Sequence, residues 1–234
     1  MNEIGHAFSL ATSLVGDLDA DLSKIVLLSL RVSLTASLIA FVVGLPVGGW
    51  LAATRWAGRT PFLVIANAAL GLPPVVVGLA VYLALSRSGP LGALGLLFTP
   101  NAMVVAQGVL AFPIVVALTH RVLEPLWQAY GDALKMDGAS QGRAIATLLA
   151  AGRAGLVTVF LSAFGRVIAE VGAILIVGGN IRGVTRTMTT AITLETSAGD
   201  LPLALALGIV LIGICVLISA IAFAMNRALT YQPS

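Results

Sequence analysis

LTASLIAFVVGLPVGGWLAA, residues 34–53, runs for twenty positions without a charged side chain. A helix rises 1.5 Å per residue, so this run can cross a hydrocarbon core of about 30 Å. Four more predominantly apolar stretches follow it, at Phe62–Leu85, Ala102–Thr119, Gly155–Gly179 and Leu203–Met225. None shows the alternation, in segments of about ten residues, that a membrane β-barrel strand requires. The pattern predicts an all-α fold, a polytopic membrane helix bundle of about five transmembrane helices.

Composition points the same way. Of 234 residues, 59% are hydrophobic and 10% charged, and the mean hydropathy is +1.04. Ordinary globular domains carry about 25% charged residues. Thirteen Lys and Arg with ten Asp and Glu are too few to cover a soluble surface of this size. A soluble domain, a disordered chain and a nucleic-acid binder are excluded. The pI near 9.5 reflects a net charge of +3 spread along the chain, with no basic patch. The single cysteine, Cys215, sits in the apolar run LIGICVLIS and reads as a packed small hydrophobe. His6 and His120 supply no metal-ligand spacing, so no metal site is expected. MNEIGHAF lacks the basic start of a cleavable signal peptide, so insertion is expected to use an internal segment.

Lys and Arg set the expected orientation. With the N-terminus outside, Arg55, Arg59, Arg121, Lys135, Arg143, Arg153 and Arg227 fall in the cytoplasm. Lys24, Arg87, Arg182 and Arg186 stay outside, while Arg31 and Arg166 lie at or inside the spans. The expectation is N-out and C-in. Residues 1–24 form an outer tail before a permeation domain at 25–234. Apolar Ile4, Phe8, Ala11, Leu14, Val15, Leu18 and Leu22 fit either an amphipathic interfacial helix over 4–22 or a loosely ordered tail. Gly44 and Gly48 make a small-xxx-small pair around Pro46, fit for a helix contact or a kink. SGPLGALGLLFTP, residues 88–100, reads as a short outer loop. No repeat or inverted two-half symmetry is visible.

Residues 120–154, HRVLEPLWQAYGDALKMDGASQGRAIATLLAAGRA, hold seven of the 23 charged residues. Such a connection is long for a helical bundle. Two helical runs, Pro125–Met136 and Gln141–Ala151, flank Asp137 and Gly138. Glycine permits a positive-φ turn, and Ser140 can cap the second run. Ile145, Leu148 and Leu149 give that run an apolar face. A helix–Gly–helix protrusion of this kind suits docking into a partner's groove.

GDALKMDGASQGRAIATLLAAGR resembles the coupling motif of permease subunits of type I ABC importers, the binding-protein-dependent transport family. That motif reads E-A-A, a short spacer, Gly, and later I-x-L-P. Asp132, Ala133 and Leu134 fall on E-A-A, and Gly138, Ala139 and Ser140 on the Gly-Ala-Ser that follows. Asp replaces Glu, Leu replaces Ala, and Ala150-Ala151 stand where Leu-Pro is usual. Residues 29–52, with GLPVG, are similar to the family's first core span. Residues 67–92, with Leu-Pro-Pro, are similar to its second. Residues 165–200 resemble the subgroup importing molybdate and especially tungstate, through AEVGA, GNIRG and TRTMTTAI.

The resemblance implies a homodimer in the cytoplasmic (inner) membrane of a prokaryote. Each copy would dock an ATP-binding cassette ATPase through Asp132, Ala133, Gly138, Ala139, Ser140, Ile145 and Leu148. An extracytoplasmic oxyanion-binding protein would deliver the cargo. The chain contains no G-x-x-x-x-G-K-[ST] phosphate loop. It is therefore expected to be no enzyme itself and to bind no cofactor, with ATP and Mg held by the partner ATPase.

Two further sets of residues call for a reading. Arg166 and Glu170, spaced i, i+4 in the fourth span, are expected to pair, because isolated charge at bilayer depth is costly. The pair serves either as a structural anchor or as part of a pathway. Asn180, Arg182, Thr185, Arg186, Thr189 and Thr193 offer hydroxyl, amide and guanidinium donors suited to an oxyanion at the outer mouth. The alternative is an outer cap whose threonines satisfy backbone carbonyls. An ion-coupled secondary transporter or channel, with Glu170 titrating and no ATPase, is the competing function. An intramembrane enzyme lacks any Ser–His, paired-Asp or metal constellation.

Overall fold

The computed structural model describes residues 20–230, together with Ser9 and Ser13, with side chains up to Met225. The amphipathic helix expected over 4–22 lies outside the described residues, apart from its last positions. Those last positions begin α1, which runs over Ala20–Ala53 with Pro46 inside it. Eight helices follow: α2 Arg59–Ala68, α3 Pro74–Leu85, α4 Pro100–Met136, α5 Gln141–Ala151, α6 Arg153–Ile168, α7 Gly172–Gly178, α8 Met188–Ala198 and α9 Leu201–Thr230. No strand occurs among the described residues. Helices α1, α4 and α9 are long and apolar enough to cross a membrane, and up to five spans result if each of two bent helix pairs counts as one.

Three of the expected boundaries differ from the structure. The span expected over Phe62–Leu85 is broken: α2 passes into a 3-10 turn at Ala69–Gly71, and α3 starts at Pro74. Leu72 precedes Pro73 and is extended at φ −56°, ψ 128°, as the proline ring disfavours the helical region for its predecessor. The run expected at Pro125–Met136 is not separate, because α4 continues through Pro113 and Pro125. Gly155–Gly179 is split between α6 and α7, with Ala169–Val171 between them.

The described residues form two compact units. One contains 20–36, Pro73–Gln107 and Val167–Leu217; the other contains Ser37–Leu72, Gly108–Arg166 and the chain from Ile218. In the first, α3 packs on α7. A Cβ on Gly78 would sit 2.6 Å from the Ala173 Cα, so only glycine lets these backbones meet.

In the second unit, Gly44 and Gly48 turn α1 against α4. A Cβ at Gly44 would meet Val115 Cγ1 at 2.7 Å, and one at Gly48 would meet the Val116 carbonyl at 2.8 Å. The small-xxx-small pair is thus a helix contact. Below it, Ala52, Ala53, Leu123 and Leu148 form a buried cluster, with Leu126, Trp127, Ile145 and Leu149 packed on it. Gly48→Ala is expected to destabilise by about 1–3 kcal/mol, because the clash is with backbone and no rotamer relieves it. Gly108→Ala, with nothing within 4 Å of its Cβ, should be neutral or better. Thermal aggregation of the two variants in detergent checks this; equal midpoints would overturn it.

Candidate functional site

The protrusion is built by a helix stop, a turn and a helix start. At the end of α4, Gly138 adopts φ +70°. Its N–H donates to the Lys135 carbonyl at 3.0 Å, and Ala139 N–H donates to Leu134 O at 3.0 Å. This is the paired hydrogen bonding of a Schellman stop, which needs a left-handed residue at Gly138. Ser140 then accepts from Arg143 N–H at 3.4 Å and opens α5. Helices α5 and α6 meet at Gly152 with a bend of 79°.

The candidate coupling residues divide between two faces. Asp132, Ala133, Gly138 and Ser140 are exposed, and Ala139 is half-buried. Asp132 bonds Lys135 at 3.0 Å, whose ammonium lies 5.3 Å from the Trp127 ring centre. Leu148 is buried and Ile145 half-buried, both turned onto the chain's own Ala52–Leu123 cluster. The outward face of α5 consists of Gln141, Gly142, Arg143, Ala146, Thr147, Ala150 and Ala151. With Met136, 83% exposed, these are the surface residues that the apolar pattern of α5 passed over. Their signal was complementary: whatever spaced Ala144, Ile145 and Leu148 inward had to leave them outside.

The segment expected at the outer mouth lies in the first unit. Gly179 and Asn180 take positive φ after α7, with the Phe98 ring against Gly179. Asn180 Nδ2 donates to Thr190 O at 3.3 Å, and its Oδ1 has no partner among the described residues. Thr185 is buried; its hydroxyl donates to Gly178 O at 2.6 Å and accepts from Ile181 N–H. Thr187 and Thr190 form a capping box at the start of α8. Met188 N–H donates to Ser29 Oγ at 2.8 Å, tying α8 to α1. Thr189 donates to Glu170 O at 2.7 Å, and Thr193 to Thr189 O at 3.0 Å. The hydroxyl protons of Thr185, Thr189 and Thr193 therefore serve backbone carbonyls.

Both Arg182 and Arg186 have carboxylate partners. Arg182 lies 2.7 Å from Asp21, which raises the guanidinium pKa above its ordinary value. Arg186 lies 3.1 Å from Glu195, and this pair is mostly buried, at 15% and 14% side-chain exposure. A cavity of about 530 Å³ opens beside them, lined by Asp21, Lys24, Arg182, Arg186, Glu195 and Asp200 among others. Three bases face three acids there, so any attraction for an anion must be local.

Arg166 and Glu170 do not share a helix, because α6 ends at Ile168. Arg166 is exposed on α6 and Glu170 is buried. Glu170 Oε1 accepts from Ala173 N–H at 3.2 Å in the first turn of α7. At the break the Val167 carbonyl accepts from Glu170 N–H at 3.1 Å and from the Gln107 amide at 2.8 Å. Gln107 was missed because an isolated amide in an apolar span carries no periodic signal.

Residues 44–231 match the family described as "binding-protein-dependent transport system inner membrane component". The tungstate uptake system permease protein TupB of Peptoclostridium acidaminophilum is 37% identical over 227 residues, covering 97% of this chain and 100% of that one. A probable anion ABC transporter permease protein of Haloferax volcanii is 38% identical over 213 residues, covering 88% and 92%. The molybdenum transport system permease protein ModB of Escherichia coli K12 is 30% identical over 185 residues, covering 75% and 81%. Among solved structures, the MetNI methionine ABC transporter in an inward-facing conformation shares the fold, with a TM-score of 0.75 at 19% identity over 90% of this chain and 97% of that one.

Proposed function

Because the chain belongs to the family of binding-protein-dependent transport system inner membrane components, it is a multi-pass permease subunit of an ABC importer, and we propose that its cargo is a tetrahedral oxyanion, tungstate or molybdate. The family implies an ATPase partner and a substrate-binding protein. It does not favour the ion-coupled alternative, which needs no ATPase.

The observation that carries the oxyanion reading is the match along nearly the whole chain to a tungstate uptake permease. We further propose a homodimer, inserted N-out and C-in, with ATP and Mg bound by the ATPase. The ATPase docks on Asp132, Ala133, Gly138, Ala139 and Ser140 and the outward face of α5. Ile145 and Leu148 transmit its movement: a Cβ at Gly49 would meet Ile145 Cγ2 at 2.9 Å, so the end of α1 rests directly on α5. At the outer mouth, Asn180, Arg182, Thr185, Arg186, Thr189 and Thr193 shape the entry for the anion, and Arg166 and Glu170 sit at the break below it in sequence.

The test is uptake of labelled tungstate and of molybdate by vesicles carrying permease, ATPase and binding protein together. ATP-dependent accumulation of either oxyanion, lost when the binding protein is omitted, is the expected result. Accumulation without the ATPase, or of neither anion, would overturn the proposal.

A further inference from the structure

At the end of α1, two guanidiniums face one carboxylate, and a third, Arg121, lies beside His120 on α4. Arg59 Nη2 lies 2.6 Å from Glu124 Oε1, and Arg55 Nη1 lies 3.3 Å from the same oxygen. Arg59 Nη2 also lies 2.9 Å from His120 Nε2. A guanidinium only donates, so His120 accepts there as a neutral ring and adds no charge. Arg121, next to His120 on α4, donates to the uncharged Oδ1 of Asn67. The cluster holds two positive charges more than its one carboxylate balances.

The three arginines are not equivalent. Arg59 is 12% exposed. Its Nε caps the Leu51 carbonyl at 2.8 Å, while Thr54 caps Trp50 O at 2.6 Å, so together they close the C-terminus of α1. Arg59 is thus committed to the fold. Arg55 is 56% exposed and Arg121 is also at the surface. Their remaining N–H groups have no protein acceptor among the described residues.

Two tryptophans flank this surplus charge. Trp50 and Trp56 are 40% and 41% exposed, with ring centres 5.4 Å apart. Gly58 makes room for the second ring, since a Cβ there would lie 1.9 Å from Trp56. Beyond Arg59, α2 exposes Phe62 and Ile65. Cations, indoles and bare aliphatic and aromatic side chains are the groups that suit a phospholipid's phosphate, glycerol and acyl chain.

We propose that Arg55 and Arg121, with Trp50 and Trp56, form a binding site for the phosphodiester headgroup of an anionic phospholipid. A guanidinium pair suits a phosphodiester's two free oxygens. A soluble anion would need the charges but not the exposed indoles and the apolar strip, so the lipid is the occupant that uses the whole surface. The site is independent of which cargo the importer carries.

Brominated lipids test it, because bromine quenches tryptophan only at contact range. The full chain, carrying Trp127→Phe so that only Trp50 and Trp56 emit, is placed in phosphatidylcholine bilayers. Dibrominated phosphatidylglycerol or dibrominated phosphatidylcholine is added at equal mole fraction. Quenching should favour phosphatidylglycerol, and each of Arg55→Gln and Arg121→Gln should reduce that preference by about fivefold. Both side chains are exposed and cap no helix, so the variants should fold. Equal quenching by the two lipids would overturn the proposal, as would a preference that survives both substitutions. Millimolar inorganic phosphate should not compete; if it does, the occupant is a soluble anion. Loss of the preference when the ATPase subunit is bound would assign the surface to that partner instead.

Discussion

Gly138→Pro is expected to abolish ATP-dependent uptake while leaving the membrane-inserted helices intact. At φ +70° the position lies in a region that an L-residue enters at a cost of about 1–2 kcal/mol, and a β-branched one at more. Proline cannot enter it, since its ring holds φ near −65°. It also removes the N–H that bonds Lys135 O. The end of α4 must then unwind or swing α5 to another angle. Either change displaces Asp132, Ala139 and Ser140 from the surface offered to the ATPase. Val should act in the same direction, and Ala should be mild. The decisive pair of measurements is ATP-dependent uptake and ATPase affinity for the reconstituted subunit. Normal transport by Gly138→Pro, or undiminished binding, would show that the protrusion is not the coupler.

This turn was legible in the sequence because its physics is local. Gly138 and Ser140 sit within a few residues of the bonds they make, and α5 occupies Gln141–Ala151, as the pattern predicts. The helix contact of Gly44 and Gly48 was half legible. Spacing showed two small residues on one face, while the choice of Val115 and Thr119 as neighbours needed the fold.

What escaped the sequence is non-local or hidden by composition. Hydropathy is blind to the break at Ala169–Val171, because Ile168, Val171 and Ile174 are as apolar as a continuous span would be. The break stands because Gln107 adds to the one backbone bond left at the Val167 carbonyl and Thr189 takes the Glu170 carbonyl, and those partners lie far away in sequence. A buried helix interruption is tolerable only with such replacements. Proline misled in two directions. At Pro73-Pro74 it ends a helix inside an apolar run, yet Pro125, read as a helix start, passes through α4 without stopping it. The pairing of Arg182 with Asp21 spans 161 positions, so no reading of the segment after α7 alone could supply it.

Those ion pairs lead to the second large effect, at Arg186. Its guanidinium and the Glu195 carboxylate are mostly shielded, at 15% and 14% exposure, and meet at 3.1 Å. Arg186→Gln removes the cation and leaves the carboxylate desolvated. Removing one partner of a buried pair costs about 3–5 kcal/mol, and partial exposure to the adjoining cavity lowers this to about 2–4 kcal/mol. Adding Glu195→Gln should restore much of the loss, because two neutral side chains leave no unpaired charge. Arg182→Gln should matter far less to stability, since its pair with Asp21 is open to solvent. Stability is read from thermal aggregation in detergent. Uptake then separates the roles. If Arg186 meets the anion, the stable double variant should fold but transport slowly, most clearly at low salt, where charges act over about 10 Å or more. Normal uptake by the double variant across salt concentrations would leave the pair a brace between the segment after α7 and α8. A single Arg186→Gln variant as stable as the native chain would overturn even the brace.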